Sequence, residues 1–369
     1  MSLSSMTLRR RAAEVAPDPV QTDTVEQASR SHVVNNAIYR DGHRVASPHT
    51  LDETFAALDA HSGALAWIGL YRPNADELSS LATQFHLHEL AVEDAIHAHQ
   101  RPKIERYDGM VFIVLRAARY LDETESVEFG ELHIFVGANF VITLRHAESP
   151  DLSIVRKRLE STPHLLARGT DAVLYGILDA VVDGYGPVVA GLENDIDEIE
   201  GQVFDGDPSV SRRIYELSRE VIDLQLAVRP LVDILAVIRG HFDESGDDPG
   251  LRQYLRDVED HVVQVNERID EFRQLLRDIL TVNATLVAQR QNEEMQQVGV
   301  SSNRQAEEAR KISGWAAILF APSLIGSVYG MNFRVMPELE WAFGYPFALA
   351  LMVAISGTLW FIFRKRGWL

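Results

Sequence analysis

Gly330-Met331-Asn332 lies at the end of the first of two long runs without a charged side chain, residues 312–333 and 341–363. As helices, these runs would each extend about 33 Å, close to the roughly 30 Å hydrocarbon core of a bilayer. The short link between them, residues 334–340, cannot cross a bilayer again, so the outer ends of both runs lie on one side. This stretch predicts a membrane hairpin that follows a large soluble part.

Composition excludes several classes of function. The 369 residues include no cysteine, which excludes structural disulfides and thiolate metal sites. The formal net charge of −19 repels phosphates and attracts cations, so we expect no nucleic-acid partner. The sequence contains no nucleotide-binding loop, nucleophile elbow or zinc-protease motif. We therefore predict that the protein is not an enzyme.

Charged residues around the two runs predict their orientation. Basic side chains lie at the outer ends, at Arg304, Arg310, Lys311, Arg364, Lys365 and Arg366, whereas the link carries only Arg334 against Glu338 and Glu340. Positive residues favour the cytoplasmic side, so both termini are expected in the cytoplasm. The protein would then cross the inner (plasma) membrane of the cell twice. The predicted order is a transmembrane helix at 312–333, an external loop at 334–340, a second transmembrane helix at 341–363 and a basic cytoplasmic end at 364–369.

The soluble part divides by its hydrophobic patterns. Residues 1–35 are typical of a disordered tail, and residues 36–150 predict an α/β domain. In this domain we expect strands at 66–71, 110–121, 127–136 and 140–145, a helix capped by Asn74 that extends through Phe85, and a helix at 89–97. Residues 151–250 predict helices, namely one at 151–166 and a long antiparallel pair at 171–203 and 209–242.

A further pattern, apolar residues spaced alternately by three and four, predicts a long stalk helix over residues 251–311. Its heptad seam comprises Leu251, Leu255, Val258, Val262, Val265, Ile269, Phe272, Leu276, Ile279, Asn283 and Leu286. The partner of this seam is either another helix of the chain or copies of the same helix in an oligomer. Gly299 is a candidate break, since glycine costs about 1 kcal/mol relative to alanine in a helix.

Two helices per chain cannot enclose a water-filled path, so a pore would need several copies. The first run suits the pore because small or hydroxylated side chains recur at helical spacing, at Ala316, Ser323, Ser327 and Gly330. Gly326 and Gly330 also form a small-residue pair that allows close helix packing. The alternative is that these residues only pack the hairpin.

Asn332 at the mouth of such a pore suits a hydrated divalent cation. Mg²⁺ keeps several of its waters when bound, and a ring of amide oxygens can bind those waters without removing them. The alternative is that Asn332 satisfies backbone groups at the end of its helix. The residue types alone leave both interpretations open.

Together these motifs resemble one known family. Tyr329-Gly330-Met331-Asn332-Phe333 is followed by Met336-Pro337-Glu338-Leu339 and preceded by Glu93-Asp94 and His99-Gln100-Arg101-Pro102-Lys103. This combination resembles the signature of the CorA family of magnesium and cobalt channels. The resemblance implies an α+β cytoplasmic domain with a long stalk helix and two C-terminal transmembrane helices, assembled as a funnel-shaped homopentamer.

In that family the first transmembrane helix lines the pore. The resemblance implies that Gly330, Met331 and Asn332 form the selectivity filter. It also implies a pore lined by Ile312, Ala316, Phe320, Ser323 and Ser327, in which Ile312 and Phe320 would be apolar constrictions. Glu338 and Glu340 in the external loop would concentrate cations at the mouth.

Asp94 and Asp257 match family positions where intracellular Mg²⁺ bridges neighbouring subunits. Facing carboxylates repel each other unless a cation lies between them, so Mg²⁺ would keep the subunits closed and its loss would release them. Mg²⁺ would then be both the transported and the regulatory ion. The alternative is two solvated surface carboxylates. Thr281 departs from the family, since relatives often carry an acidic residue there, and so does the long polar stretch 289–311.

The sequence favours a passive divalent cation channel in contact with membrane lipid, chiefly for Mg²⁺, with Co²⁺ and Ni²⁺ as further candidate ions. One rival is a transporter of Zn²⁺ or another transition metal from the same superfamily, which the histidine-rich segment 86–99 supports and Met331 opposes. A second rival is a membrane-anchored sensor or scaffold that dimerises through the seam.

Overall fold

The computed structural model describes residues 33–97, 100–146, 148–207, 209–244, 249–332, 336–337 and 340–369. Most of the predicted tail at 1–35, together with His99 and Glu338, lies outside the described residues. The chain divides into two compact units. One comprises residues 1–195 and 219–272, and the other comprises residues 196–218 and 273–369.

One mixed sheet forms the centre of the first unit. Within the described residues, seven strands lie in the order β2-β1-β3-β7-β6-β5-β4. They are β1 (Val33–Arg40), β2 (His43–Ala46), β3 (Leu65–Tyr71), β4 (Lys103–Tyr107), β5 (Met110–Leu121), β6 (Ser126–Gly137) and β7 (Phe140–Arg145). β3 and β7 pair in parallel, and the other neighbours pair antiparallel. The four strands predicted from the sequence are confirmed as β3, β5, β6 and β7.

Three short helices contribute to the core on one face of this sheet: α1 (Leu51–Ala60), α2 (Ala75–Phe85) and α3 (Glu89–His97). Their buried side chains, such as Leu81 and Ala91, share this core with Phe112 of the sheet. The predicted cap is confirmed, because Glu77 N–H donates to Asn74 Oδ1 at 2.9 Å and Asn74 N–H donates to Glu77 Oε2 at 3.1 Å. This reciprocal capping box satisfies two backbone donors at the start of α2.

The helices after the sheet are more interrupted than predicted. The single helix expected at 151–166 is two helices, α4 (Leu152–Glu160) and α5 (Pro163–Leu166). The residue before a proline is driven out of the helical conformation, and Thr162 has φ −128° and ψ 67°. The expected long pair is four helices, α6 (Thr170–Asp183), α7 (Tyr185–Asp205), α8 (Val210–Val228) and α9 (Leu231–Glu244). The interruptions fall at Gly184 and Pro230, both poor helix formers.

Helix α10 (Pro249–Tyr329) is continuous over 81 residues. Gly299, the candidate break or hinge, does not interrupt it. A single glycine costs only about 1 kcal/mol, and the flanking residues continue the backbone hydrogen-bond ladder. The stalk helix and the first apolar run therefore form one element.

The heptad seam of α10 is covered within the chain. Most of its members are buried: Leu251, Leu255, Val258, Val262, Ile269 and Phe272 in the first unit, and Leu276, Ile279 and Asn283 in the second. In the second unit, Asn283 Nδ2 donates to Ser211 Oγ of α8 at 2.8 Å. Of the two partners that the sequence left open, the structure therefore supplies helices of the same chain. Residues 287–313, beyond the seam, are exposed.

Helix α11 (Gly344–Lys365) returns antiparallel to the last part of α10. Gly314 of α10 faces Phe363, Ile318 contacts Ser356, and Gly326 faces Met352, so rising numbers on one helix meet falling numbers on the other.

Among the described helices, three are long and apolar enough to cross a membrane. The span Thr170–Asp205 is mostly buried inside the chain, whereas the apolar parts of α10 and α11 are almost uncovered. The two runs predicted to span the membrane are therefore the ones that the chain leaves exposed.

We expect Asn283→Leu to raise the melting temperature of the purified protein. The seam becomes fully apolar, and the exposed Ser211 hydroxyl can bond water instead. Ser211→Ala should destabilise the protein by about 1–3 kcal/mol, because the buried Asn283 amide then loses its partner. Thermal unfolding in detergent measures both effects. A lower melting temperature for Asn283→Leu would contradict the view that the seam amide sets register at a cost in stability.

Candidate functional site

Helix α11 covers one face of the apolar part of α10 and leaves another face open. On the covered face, Gly314 and Ile325 are buried. The five residues predicted to line a pore are all exposed: Ile312, Ala316, Phe320, Ser323 and Ser327. Because they recur every three or four residues, they lie on one side of the helix. The structure thus groups the predicted pore residues on a surface that the chain itself does not cover, which we call the open face.

Pro322 lies within the apolar part of α10. Proline has no N–H, so the carbonyl of Ile318, four residues earlier, loses its helical donor. Ser356 Oγ of α11 donates to this carbonyl at 3.4 Å. Hydroxyl groups of neighbouring helices commonly satisfy backbone groups that a proline releases inside a membrane. Ser356 therefore completes the hydrogen bonding of the first apolar run.

The tripeptide Gly330-Met331-Asn332 follows the last residue of α10, Tyr329. Gly330 N–H still donates to the Gly326 carbonyl at 2.9 Å, and Met331 N–H donates to the Val328 carbonyl at 3.3 Å. Gly330, Met331 and Asn332 are all exposed. The tripeptide therefore stands at the same end of the apolar run as Ser327 and leaves the Asn332 side chain accessible.

The two apolar helices are placed slightly differently from the predicted spans. Helix α10 ends at Tyr329, before residue 333, and Gly330 follows its last residue. Helix α11 begins at Gly344, after residue 341, and Pro346 then falls in its first turn, where a missing N–H costs nothing. Glu340 is exposed just before α11.

Asp94 of α3 is paired within the chain. Lys103 Nζ of β4 lies 2.6 Å from Asp94 Oδ2 and 2.9 Å from Glu105 Oε1. Burial lowers the pKa of Lys103, but the hydrogen bonds to Asp94 and Glu105 outweigh it, and the pKa is raised overall. The ammonium group therefore remains charged near neutral pH and offsets part of the Asp94 charge.

Asp257 of α10 belongs to a second group of carboxylates. Burial raises the pKa of Asp183, Asp179 and Asp257 raise it further, and His261 and Arg158 lower it. Arg158 Nη2 lies 2.5 Å from Asp179 Oδ2, and His261 Nδ1 lies 3.9 Å from Asp183 Oδ1. Burial is the largest cause of this raised pKa, and Asp179 and Asp257 add smaller electrostatic contributions in the same direction.

The interactions of Asp94 involve β4, whereas those of Asp257 involve α6. The Mg²⁺ site that the resemblance implies between these two carboxylates is a site between neighbouring subunits, and it stays a prediction. Thr281, the departure on the stalk, uses its hydroxyl locally, since Thr281 Oγ1 donates to the Arg277 carbonyl at 2.9 Å.

Comparison with known proteins identifies the family. A family model described as CorA-like Mg²⁺ transporter protein matches residues 62–365, which is most of the chain. The chain belongs to the CorA-like Mg²⁺ transporter family. The resemblance drawn from the tripeptide and its surroundings is confirmed, and this CorA-family protein is a divalent cation transporter with the predicted class of fold.

Two relatives align over most of their length. This chain is 32% identical over 306 residues to YfjQ of Bacillus subtilis, and the alignment covers 82% of this chain and 89% of the relative. It is 29% identical over 319 residues to the cobalt/magnesium transport protein CorA of Thermotoga maritima, with 84% of each chain covered.

Two solved structures are similar in fold. The complete CorA magnesium transporter from Methanocaldococcus jannaschii gives a TM-score of 0.52 at 20% identity, covering 83% of this chain and 92% of that chain. The cytoplasmic domain of ZntB from Vibrio parahaemolyticus gives a TM-score of 0.50 at 14% identity, covering 71% and 99%. At these identities the likeness concerns the fold alone.

The described histidines of segment 86–99 in this CorA-family chain have structural roles within the first unit. His86 ends α2 in a left-handed conformation, His88 stacks on Tyr107 with ring centroids 4.0 Å apart, and His97 Nδ1 lies 2.9 Å from the Glu93 carbonyl. Among the described residues, no group of three His, Asp or Glu side chains is placed to bind a metal ion. These contacts explain the described histidines without a zinc site.

Sequence reasoning missed two residues that the structure places at the site. Lys103 was noted only as part of a motif, and its pairing with Asp94 depends on how β4 lies beside α3. Ser356 lies inside an apolar run, where a single hydroxyl has no distinctive pattern. The position of Pro322 in the first run was the available signal, because a proline inside a membrane helix requires a donor for the carbonyl it releases.

We expect Ser356→Ala to destabilise the CorA-family protein in detergent by about 0.6 kcal/mol, a typical value for a hydrogen bond between membrane helices. The loss should vanish in a Pro322→Ala background, because an alanine at position 322 restores the helical donor to the Ile318 carbonyl. Thr358→Val is the control, since Thr358 Oγ1 bonds the Ala354 carbonyl of its own helix. Equal losses from Ser356→Ala in both backgrounds would contradict this role.

Proposed function

We propose that this chain forms a passive channel for Mg²⁺, with Co²⁺ and Ni²⁺ as further candidate ions. The observation that carries the proposal is the open face of α10, which groups small, hydroxylated and apolar residues and leads to the exposed tripeptide. An inward-negative potential supplies about 2.3 kcal/mol per charge for each 100 mV, and a divalent ion gains about twice that. Inward flow of Mg²⁺ then needs no energy-coupled step.

The pore requires several copies of the open face around one axis, and we propose five. Gly330, Met331 and Asn332 would form the selectivity filter, with Asn332 oxygens binding the waters of hydrated Mg²⁺. Ile312 and Phe320 would narrow the path with apolar rings, and Ser323 would provide a polar ring. Glu338 and Glu340 would attract cations to the mouth.

We further propose that intracellular Mg²⁺ closes this channel by binding between Asp94 of one subunit and Asp257 of the next. The repulsion of the Asp183 carboxylate by Asp179 and Asp257 supports a cation there. The ion pair between Lys103 and Asp94 opposes it, because Mg²⁺ must compete with the ammonium for the same carboxylate. Lys103 therefore weakens the affinity for closing Mg²⁺.

The placement in the membrane follows from the charges at the helix ends. Arg364 and Lys365 lie in the last turn of α11, and Arg310 and Lys311 precede the apolar part of α10. We propose that both ends face the cytoplasm of a cell whose plasma membrane contains the hairpin.

Two alternatives remain distinct from this proposal. One is a Zn²⁺ or other transition-metal transporter of the same superfamily, to which the fold likeness to a ZntB domain gives some weight, but not more than to the main proposal. The local use of the described histidines gives that alternative no further support. A dimeric sensor or scaffold would need the seam as its interface, and most of the seam up to Asn283 is buried within the chain.

We expect Asn332→Ala to abolish Mg²⁺ entry into proteoliposomes held at an inside-negative potential, because the oxygen ring that accepts the hydrated ion is lost. Uptake of Mg²⁺, Co²⁺, Ni²⁺ and Zn²⁺ is compared in the same preparation. Asn139→Ala is the matched control, since Asn139 is an exposed residue of the turn between β6 and β7.

Unchanged Mg²⁺ uptake by the Asn332 variant would exclude the proposed filter. Faster entry of Zn²⁺ than of Mg²⁺ in the unmodified protein would favour the zinc alternative. Native mass measurement of the same preparation should give five copies, whereas a stable dimer without flux would favour the scaffold.

We expect Lys103→Gln and Asp257→Lys to shift regulation in opposite directions. Removal of the Lys103 charge frees Asp94, so less Mg²⁺ should protect the protein from protease. Asp257→Lys places a positive charge at the proposed bridge and should require more Mg²⁺. Protection is measured by limited proteolysis over a Mg²⁺ titration that starts in EDTA.

Lys157→Gln is the matched control, because Lys157 is an exposed lysine of α4. Protection curves for the Asp257 variant that match those of the unmodified protein would rule out Asp257 as a ligand. An unchanged curve for Lys103→Gln would show that the ammonium does not compete with Mg²⁺ for Asp94.

A further inference from the structure

The residues that follow α11 fold back onto the helix. Gly367 adopts φ +69°, a left-handed conformation that glycine enters without steric cost. Gly367 N–H donates to the Arg364 carbonyl at 3.2 Å, and Trp368 N–H donates to the Phe363 carbonyl at 2.9 Å. These two bonds form a Schellman motif, which satisfies carbonyls at the helix end and fixes the direction of the chain beyond it.

An aromatic pair reinforces this turn. The rings of Trp368 and Phe363 stack with centroids 5.3 Å apart and planes within 4° of parallel. A hydrophobic contact between these two positions often accompanies a Schellman motif. The segment after α11 is therefore held against its helix by backbone bonds and by side-chain packing.

The folded segment meets α10 at a glycine. Gly314 is buried, and a Cβ atom at this position would lie 3.7 Å from both Leu369 Cδ2 and Phe363 Cδ2. That distance is ordinary van der Waals contact, so the small residue at position 314 allows Phe363 and Leu369 to pack closely against α10. We call Gly314, Phe363, Trp368 and Leu369 the span clasp.

The position of the span clasp along α10 gives it a consequence beyond packing. Residues 287–313, which precede Gly314, are exposed, so the clasp is where cover by the chain begins on this part of α10. Ile312 lies two residues before Gly314 on the exposed side of the helix. A contact that fixes Gly314 against α11 also fixes the direction in which Ile312 points, because adjacent turns of a helix rotate together.

We propose that Trp368 and Leu369 are positioning residues for the inner constriction of the pore. They act through Gly314 by holding the cytoplasmic end of the apolar part of α10 against α11. This contact keeps the Ile312 side chain directed at the axis of the pore. This role rests on the proposed channel function. Loss of the span clasp leaves this end of α10 free to rotate and tilt, and the closed pore then leaks.

The first test asks whether the contact exists in the assembled protein in liposomes. The chain has no cysteine, so Gly314→Cys combined with Leu369→Cys introduces the sole pair of thiols. Mild oxidation should join them within one chain. The control pair is Gly314→Cys with Phe361→Cys, because Phe361 is exposed on α11 and Gly314 faces Phe363 and Leu369. Equal cross-linking of both pairs, or none in the first, would overturn the proposal.

The second test asks what the contact does. Proteoliposomes are loaded with millimolar Mg²⁺, the closing condition, and entry of isotopically labelled Mg²⁺ is measured. Trp368→Ala and the reduced Gly314→Cys, Leu369→Cys protein should leak about threefold to tenfold more than the unmodified protein, the range expected for loss of one aromatic pair. Oxidation of the double variant should restore the low rate, which a purely destabilising substitution would not permit.

The outcomes separate the two proposals. Flux in the unmodified protein at low internal Mg²⁺, with no added leak in the clasp variants, overturns the positioning role alone. Absence of flux in the unmodified protein overturns the channel function and the positioning role with it. Leak that oxidation does not reverse also overturns the positioning role.

Discussion

Helix α10 is one uninterrupted helix, and its two parts have different surroundings. In its first part the heptad seam is covered by helices of the same chain, and in its last part α11 covers one face and leaves another open. In lipid every backbone polar group must be paired within the protein, so the carbonyl released by Pro322 requires a donor such as Ser356. The antiparallel contact with α11 therefore supplies the donor for the carbonyl that Pro322 releases. It also decides which residues of α10 remain exposed and available to other subunits.

The two predicted regulatory carboxylates have different charged neighbours. Asp94 is partly neutralised by Lys103, whereas Asp257 adds to the negative charge that raises the pKa of Asp183. A cation at Asp94 must therefore compete with an ammonium group, whereas a cation at Asp257 would relieve some carboxylate repulsion. This asymmetry follows from side chains on β4 and α6 and is independent of the net charge of the chain.

Several features were predictable because they depend on residues close in sequence. The strands β3, β5, β6 and β7 and the Asn74 cap were confirmed, since alternation and capping are local patterns. The single helix expected at 151–166 was wrong, and the candidate break at Gly299 is absent. The two residues differ in what they cost a helix, about 3 kcal/mol for proline and about 1 kcal/mol for glycine relative to alanine. Pro163 therefore ends a helix, whereas Gly299 does not.

The sequence by itself determined that two apolar runs joined by a short link form a hairpin and that a heptad seam with one amide side chain precedes them. It also identified the family of the chain, through the tripeptide and the motifs around it. Only the tertiary structure decided that the seam is covered by the same chain, and that Lys103 pairs with Asp94. It also decided that the open face contains five residues, Ile312, Ala316, Phe320, Ser323 and Ser327. It also decided that Trp368 and Leu369 return to Gly314. The physical reason is that these contacts join residues far apart in the chain, and hydrophobic periodicity specifies that a face will be buried without specifying its partner.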